Sequence, residues 1–308
     1  MPKPQIDGIL NIDKPYGITS MDIVRRIKRA SGQKRVGHGG TLDPVATGVV
    51  TICFGQATRM MEHLVDGKKE YRTEIELGVS TDTYDSLGEA VDKQDSSHVT
   101  LDDVERVLET FKGSIKQVPP MYSALKRQGK RLYELARAGI EVEREPRDVE
   151  VHWIKLLNWS PPIIAVEVGC GRGFYMRSFA HDVGQALDCG GHLKSLVRLR
   201  SGVFNISNAV ALADMEERFA DDTWEDSLYA PDVALYRMGA AIVGRQLENI
   251  IKHGQPLPPN ARIPHSQGED ECRVYGVDGK FIAILKFDTL SKQWQSGKVF
   301  SFTYLDEE

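Results

Sequence analysis

The apolar residues of this chain follow two spacings that change abruptly. GILNI (8–12) is a short apolar run of strand length. Thr19 or Ser20 can then cap a helix that sets Ile23, Val24 and Ile27 on one face and Arg25, Arg26, Lys28 and Arg29 mostly on the others, with Gly32 placed to end it. YRTEIEL (71–77) switches to a period of two: Tyr71, Thr73, Ile75 and Leu77 fall on one side, Arg72, Glu74 and Glu76 on the other. That pattern predicts a half-buried strand with Tyr71 inward at its start. Thr100 and Asp103 have capping-box spacing ahead of Val104, Val107, Leu108 and Phe111, and Gly113 can stop that helix.

PPMYSALKRQGKRLYELARAG (119–139) opens on a proline pair and continues as a basic, aromatic-bearing helical pattern, an insertion able to close over a ligand. IIAVEVGC (163–170) predicts a strand. Glycines 171 and 173 predict a sharp turn that projects Tyr175 and Arg177 at the start of a helix ending near Gly190. The acidic run 213–226 and the DSLYAPD that overlaps and follows it read as the end of a first domain. Beyond it, Asp278-Gly279 stands between apolar runs in VYGVDGKFIAILKF, a hairpin signal, so the tail is expected to be a small β-rich domain.

With 308 residues, 41% of them hydrophobic and 27% charged, the chain can fill the core of one large domain and one small one. No stretch approaches the roughly 18 uncharged apolar residues of a membrane span, and no apolar segment follows a basic start, so a cytoplasmic protein is expected. The four cysteines, Cys53, Cys170, Cys189 and Cys272, form no CxxC pair. Neither zinc nor a disulfide framework is indicated. A net charge of −5 argues against a polyanionic partner, but its distribution changes the picture. Residues 1–60 carry nine basic residues against four acids, 124–133 adds four basic residues, and 213–226 holds seven acids and one arginine. Such segregation favours a local basic surface for phosphates, while solvated helix faces account for the same runs.

GHGGTLDPVATG (37–48) sets one carboxylate, Asp43, among four glycines and a proline. It lacks the GK[ST] of a phosphate loop and the GxGxxG of dinucleotide folds. No HExxH, serine elbow, cysteine nucleophile motif or paired glycosidase carboxylates appear. What remains is a reaction in which one aspartate is nucleophile or base, with glycines letting a bulky substrate approach the backbone. The plain alternative is a turn in which Asp43 caps Thr47-Gly48 or another nearby backbone group.

Over essentially its whole length the sequence resembles the TruB family of tRNA pseudouridine synthases. The resemblance is carried by LNIDKPYGITS, GHGGTLDPVATGV, KKEYRTEIELGVSTDTYDSLG, the 119–139 insertion, GRGFYMRSFAHDVG and GHLKSLVRLRSG, in the family's order. It implies an α+β pseudouridine synthase fold, a mixed, largely antiparallel sheet flanked by helices. A catalytic domain over 1–232, with an RNA-gripping insertion at about 119–145, is expected to precede a small PUA-like β-barrel over 234–308. The implied reaction detaches a uracil from C1′ and rejoins it through C5, at position 55 in the TΨC loop of tRNA, without cofactor or metal.

By the same resemblance Asp43 is the catalytic aspartate, attacking the sugar or the base or removing the C2′ proton. Tyr71 stacks under the flipped uracil and serves as base for the final proton, and Arg177 pairs with the carboxylate. Tyr175 and Leu196 line the uracil pocket, and His38 fills space vacated by the extruded nucleotides. The family often has threonine where this chain has Gly39. The basic helix 21–31 and Lys126 to Arg131 are candidates to grip the T-arm. A binding protein without chemistry, or a guide-RNA-dependent relative, would use the same scaffold. Asp43, Tyr71 and Arg177 favour the enzyme, and the insertion favours the stand-alone form, since the guide-dependent branch lacks that arm; a monomer with no obligatory protein partner is expected.

Overall fold

The computed structural model describes residues 5–123, 125–127, 129–258, 261, 263 and 270–302, without the side chains of Lys126, Arg127, Arg131 and Arg137. Its main sheet runs in the order Val210–Ala211, Gly8–Lys14, Ala46–Phe54, Gly191–Ser201, Lys69–Leu77, Ile163–Cys170, Arg147–Ser160, Gly113–Gln117. Neighbours are antiparallel except where Val210–Ala211 meets Gly8–Lys14 and where Ala46–Phe54 meets Gly191–Ser201. The sheet is thus mixed and largely antiparallel. The loop expected at 37–48 is shorter than its motif, because Val36–His38 pairs with Ala46–Phe54 as an extra strand.

A period of two sorts each strand onto two faces. Leu10 and Ile12 pack into the main core, whereas Ile9 joins Val49, Cys53 and Phe204 on the other side. The main core is covered by helices Ser20–Ser31, Leu101–Thr110, Met176–Ala186 and Leu212–Ala220, which supply among others Ile27, Val104, Phe179 and Met215. The first begins at Thr19, whose hydroxyl accepts the Asp22 N–H while the Asp22 carboxylate accepts the Thr19 N–H, and it ends at Gly32. Thr100 and Asp103 repeat the capping box. The acidic run carries an amphipathic cover for this core: Leu212, Met215 and Phe219 are buried, and the Trp224 ring lies 5.1 Å from that of Phe54.

The helix expected through 119–139 is mostly absent. Lys126–Arg127 and Lys130–Arg131 form a hairpin, and among the described residues of the segment only Leu132–Arg137 is helical. Gly129, at φ +85°, gives the left-handed turn that interrupts the helical period. In the tail, Gly239–Ile242, Glu271–Tyr275, Phe281–Asp288 and Gln293–Val299 form one four-stranded sheet, and Asp278-Gly279 sits in its predicted hairpin. Among the described residues that sheet does not close into a barrel.

The two sheets share a cluster of Met60, Leu235, Phe281, Ile284 and Phe300. The Tyr275 hydroxyl donates to Asp232 at 2.6 Å, and Arg59 donates to the Val299 carbonyl at 2.6 Å. A cut between the sheets therefore uncovers apolar surface, and where it falls matters. A chain ended after Met238 is expected to outlast one ended after Asp232 by about 2 kcal/mol in urea unfolding, since it keeps Leu235 over Met60. Equal midpoints and slopes would show that Leu235 does nothing once the tail is gone.

Candidate active site

The segment bearing Asp43 is held at several points by its backbone. Ser20 Oγ accepts the Leu42 N–H at 2.8 Å, the Asp43 carbonyl accepts the Ala46 N–H at 3.1 Å, and Arg198 donates to the carbonyls of Gly40 and Thr41. Gly48, at φ +98°, is required by crowding as well as conformation, because a Cβ there would stand 2.3 Å from the Arg198 carbonyl oxygen. At Gly39 a Cβ would lie 2.6 Å from Thr51 Oγ1 and 2.7 Å from Leu64 Cδ1, so those side chains occupy the space a threonine would need.

The Asp43 carboxylate does not cap Thr47 or Gly48; its oxygens meet Arg177. Arg177 Nη2 donates to Oδ1 at 3.2 Å, and Nε lies 2.9 Å from Oδ2, though its N–H is not aligned for a hydrogen bond. Arg177 stands in the first turn of helix Met176–Ala186, and 5% of its side chain is exposed. It also donates to the carbonyls of Tyr122 at 2.6 Å and Thr83 at 3.3 Å, so the insertion and the DTYD segment grip the same guanidinium. The turn before the helix is fixed by Gln117, whose amide exchanges two hydrogen bonds with the Tyr175 backbone.

A second carboxylate, not foreseen from the sequence, completes this group. Asp85 is buried, with Oδ2 3.7 Å from Arg177 Nε and Oδ1 accepting from Thr83 Oγ1 at 2.7 Å and from the Leu87 N–H at 3.0 Å. Two aspartates thus flank one arginine. Burial raises the Asp43 carboxyl above its ordinary 3.8, the Arg177 charge acts against that rise, and Asp85 adds to it. The side chain still keeps 36% exposure, so a reacting atom can reach it.

Tyr71 and Leu196 lie on neighbouring strands within the main core, where Leu196 stands opposite Ala46 on one side and Thr73 on the other. Burial pushes the Tyr71 phenol up to about 12, opposed by the charge of Arg198, which stands across from it on the neighbouring strand. Tyr175 is half-buried, its phenol raised by burial and within electrostatic reach of Asp43. His38 is held below its ordinary 6.5 by burial and by the Arg198 charge, so it is neutral at pH 7. The side chains of Lys126, Arg127 and Arg131 lie outside the described residues. Arg25, Arg26, Lys28 and Arg29 are all exposed, with Arg25 paired to Asp22 and Arg26 to Glu216.

Lys14 was also missed, although its place was readable: it continues the Leu10, Ile12 alternation, which carries it inward. It is fully buried, donating from Nζ to the carbonyls of Pro15 at 2.8 Å and Pro44 at 3.4 Å, next to Asp43. Burial lowers its ammonium from 10.5 to about 8. Between those values the folded chain holds fewer protons than the unfolded one, so this group's contribution to stability rises with pH across that window. In urea unfolding of wild type and Lys14→Met, the difference is therefore expected to move in wild type's favour from pH 8 to 10.5. A constant difference would contradict this reading. Among the described residues no group of three or more His, Cys, Asp or Glu could hold a metal ion, and no helix is long and apolar enough to cross a membrane.

Comparison with known proteins places this geometry. Residues 28–176 match the model of the TruB family pseudouridylate synthase N-terminal domain, and 177–244 match that of the tRNA pseudouridylate synthase B C-terminal domain. A tRNA pseudouridine synthase B of Dehalococcoides mccartyi is 44% identical over 96% of this chain and 97% of its own. That of Symbiobacterium thermophilum is 46% identical over 81% and 83%. Among solved structures, an H/ACA RNP bound to a substrate RNA containing 2′-deoxyuridine superposes with TM-score 0.72 over 96% of this chain and 85% of the other, at 23% identity, a likeness of fold. A Cbf5-Nop10-Gar1 complex gives 0.71 at 25% identity, over 96% and 84%. With the sheet, the matched motifs and both family models in agreement, the chain belongs to the TruB family of pseudouridylate synthases.

Proposed function

We propose that this protein converts uridine to pseudouridine at position 55 in the TΨC loop of tRNA, acting alone and without a guide RNA. The observation that carries the reading is the Asp43–Arg177 ion pair, with Tyr71 and Tyr175 within electrostatic reach of Asp43 and Leu196 paired in the sheet with Ala46. Relatives named for this activity on tRNA support it. The target uridine leaves its stack at a cost of a few kcal/mol, offset by stacking on Tyr71 and by phosphate contacts. Asp43 acts on the sugar, on the base or on the C2′ proton, and each route needs the ionised carboxylate that Arg177 favours. C1′–N1 breaks, the base turns within a pocket that keeps water away, C1′–C5 forms, and the C5 proton passes to Tyr71. N1 takes up a proton in place of the one lost from C5, so the nucleotide's composition is unchanged and no oxidant, reductant or phosphate donor enters.

Residues 1–232 serve as the catalytic body. Residues 234–308 form an RNA-binding module that reaches parts of the tRNA beyond the T-arm, raising affinity through effective concentration. The test is tritium release from tRNA labelled at uracil C5, because that hydrogen leaves only if the isomerisation runs to its end. Wild type is expected to release one tritium per tRNA. Tyr71→Phe is expected to bind as tightly yet turn over at least about a hundredfold more slowly, as for loss of one proton-transfer group. No release by wild type from unmodified tRNA would overturn the proposal.

A further inference from the structure

Arg198 is a buried charge whose hydrogen bonds hold the Asp43 segment but leave its positive charge without a counter-ion. It is 1% exposed and stands directly opposite Tyr71 in the antiparallel pair of Gly191–Ser201 with Lys69–Leu77. Its three hydrogen bonds go to main-chain carbonyls: Nε to Val49 at 2.6 Å, Nη1 to Thr41 at 3.3 Å and Nη2 to Gly40 at 3.2 Å. Carbonyls fix the guanidinium in place but do not neutralise it, and among the described residues it forms no ion pair with a carboxylate. Its charge disfavours the cationic forms of Lys14, His38 and Lys69. A buried cation without a counter-ion is costly unless a negative charge develops beside it. Directly across from it in the sheet stands Tyr71, whose ionised form its charge favours.

We propose that Arg198 is a positioning residue for the last step of the reaction, holding a positive charge against the Tyr71 oxygen so that this oxygen can accept the C5 proton. The inference rests on the reaction proposed above. In that step the phenolate oxygen bonds to the proton, the C5–H bond breaks, its electron pair restores the C5=C6 double bond, and the pair displaced from C6=N1 returns to N1, which takes a proton from water. The phenol so formed returns its proton to water before the next turnover. Cys170 from the adjoining strand and Asp43 from its loop also face Tyr71, and both oppose its ionisation; Arg198 favours it.

A 5-fluorouridine has no C5 hydrogen to lose, so a T-arm stem-loop carrying it reports the steps before the last one. Full-length Arg198→Gln keeps a donor without the charge. It is expected to release tritium at least about a hundredfold more slowly than wild type, while rearranging the fluorinated RNA within about fivefold of it. Arg198→Lys, which restores a charge, is expected to recover at least about tenfold of that loss. With 3-fluorotyrosine at position 71, the fluorine resonance is expected to titrate at least about one pH unit higher in the Gln variant.

Equal losses on the two RNAs, or an unmoved fluorine titration in a chain that melts cooperatively, would assign Arg198 to the scaffold of the loop alone and overturn the proposal. Should the Gln chain fail to fold, the Lys variant carries the same comparison, since its displaced charge gives a smaller shift of the same sign and no shift overturns the idea. If wild type itself releases no tritium, the reaction reading fails, and the fluorine titration still decides whether Arg198 favours the phenolate.

Discussion

Asp43→Asn is expected to lower tritium release by at least about four orders of magnitude, the scale on which removing a nucleophile or an essential base acts. The size follows from the geometry. Asp85, the other carboxylate of the group, spends Oδ1 on Thr83 and Leu87 and keeps Oδ2 toward Arg177, so it cannot stand in. Binding should respond quite differently, because phosphate contacts spread over a basic surface do not depend on one pocket acid. Affinity for unmodified tRNA, read by filter binding at fixed salt, is expected to stay within about tenfold. An Asn variant with substantial turnover would remove Asp43 from the chemistry, and one that no longer binds would make the carboxylate an anchor for the loop.

Arg177→Met should produce the second largest loss, with a pH signature. Breaking a buried ion pair from one side costs about 3–5 kcal/mol, which corresponds to roughly a hundredfold to several thousandfold if it falls on the transition state. The carboxyl of Asp43 is already raised by burial, and Arg177 is the main influence holding it down. Without Arg177 it ionises at higher pH, and activity that needs the carboxylate rises with pH through that value. The acid limb of kcat against pH is therefore expected to move upward in Arg177→Met, with part of the loss recovered under alkaline conditions. An unshifted limb would mean that Arg177 positions the helix without tuning the acid. Asp85→Asn should move the same limb downward, because Asp85 contributes to raising the carboxyl.

How much of this was legible depended on whether the signal was local. The strict alternation of YRTEIEL put Tyr71 inward, and it is buried with Thr73, Ile75 and Leu77. The capping boxes at Thr19 and Thr100 and the Asp278-Gly279 hairpin are decided within a few residues, and the chain honours them. The basic insertion misled because KR pairs suit a helix surface as well as a hairpin, and only the turn at Gly129 separates the two. Asp85 was invisible for another reason. Its place beside Arg177 depends on the bridge it makes to Leu193, more than a hundred residues on, and nothing in DTYD records that pairing. Nothing in KSLVRLRSG sets Arg198 apart from Lys194 and Arg200, and its register against Tyr71 is what shows it buried in the sheet.

The parallel pairing at the centre of the sheet also sets an order of events during synthesis. The donors that clamp Gly40, Thr41 and Val49 sit on a residue 149 to 158 positions later in the chain. A ribosome has therefore long released the Asp43 segment before the strand that secures it emerges. Contacts of such separation make folding slow, and until they form the chain carries an unpaired strand edge open to wrong partners. Activity in a growing chain should accordingly appear late and in one step, when Gly191–Ser201 slots between two strands that have waited for it.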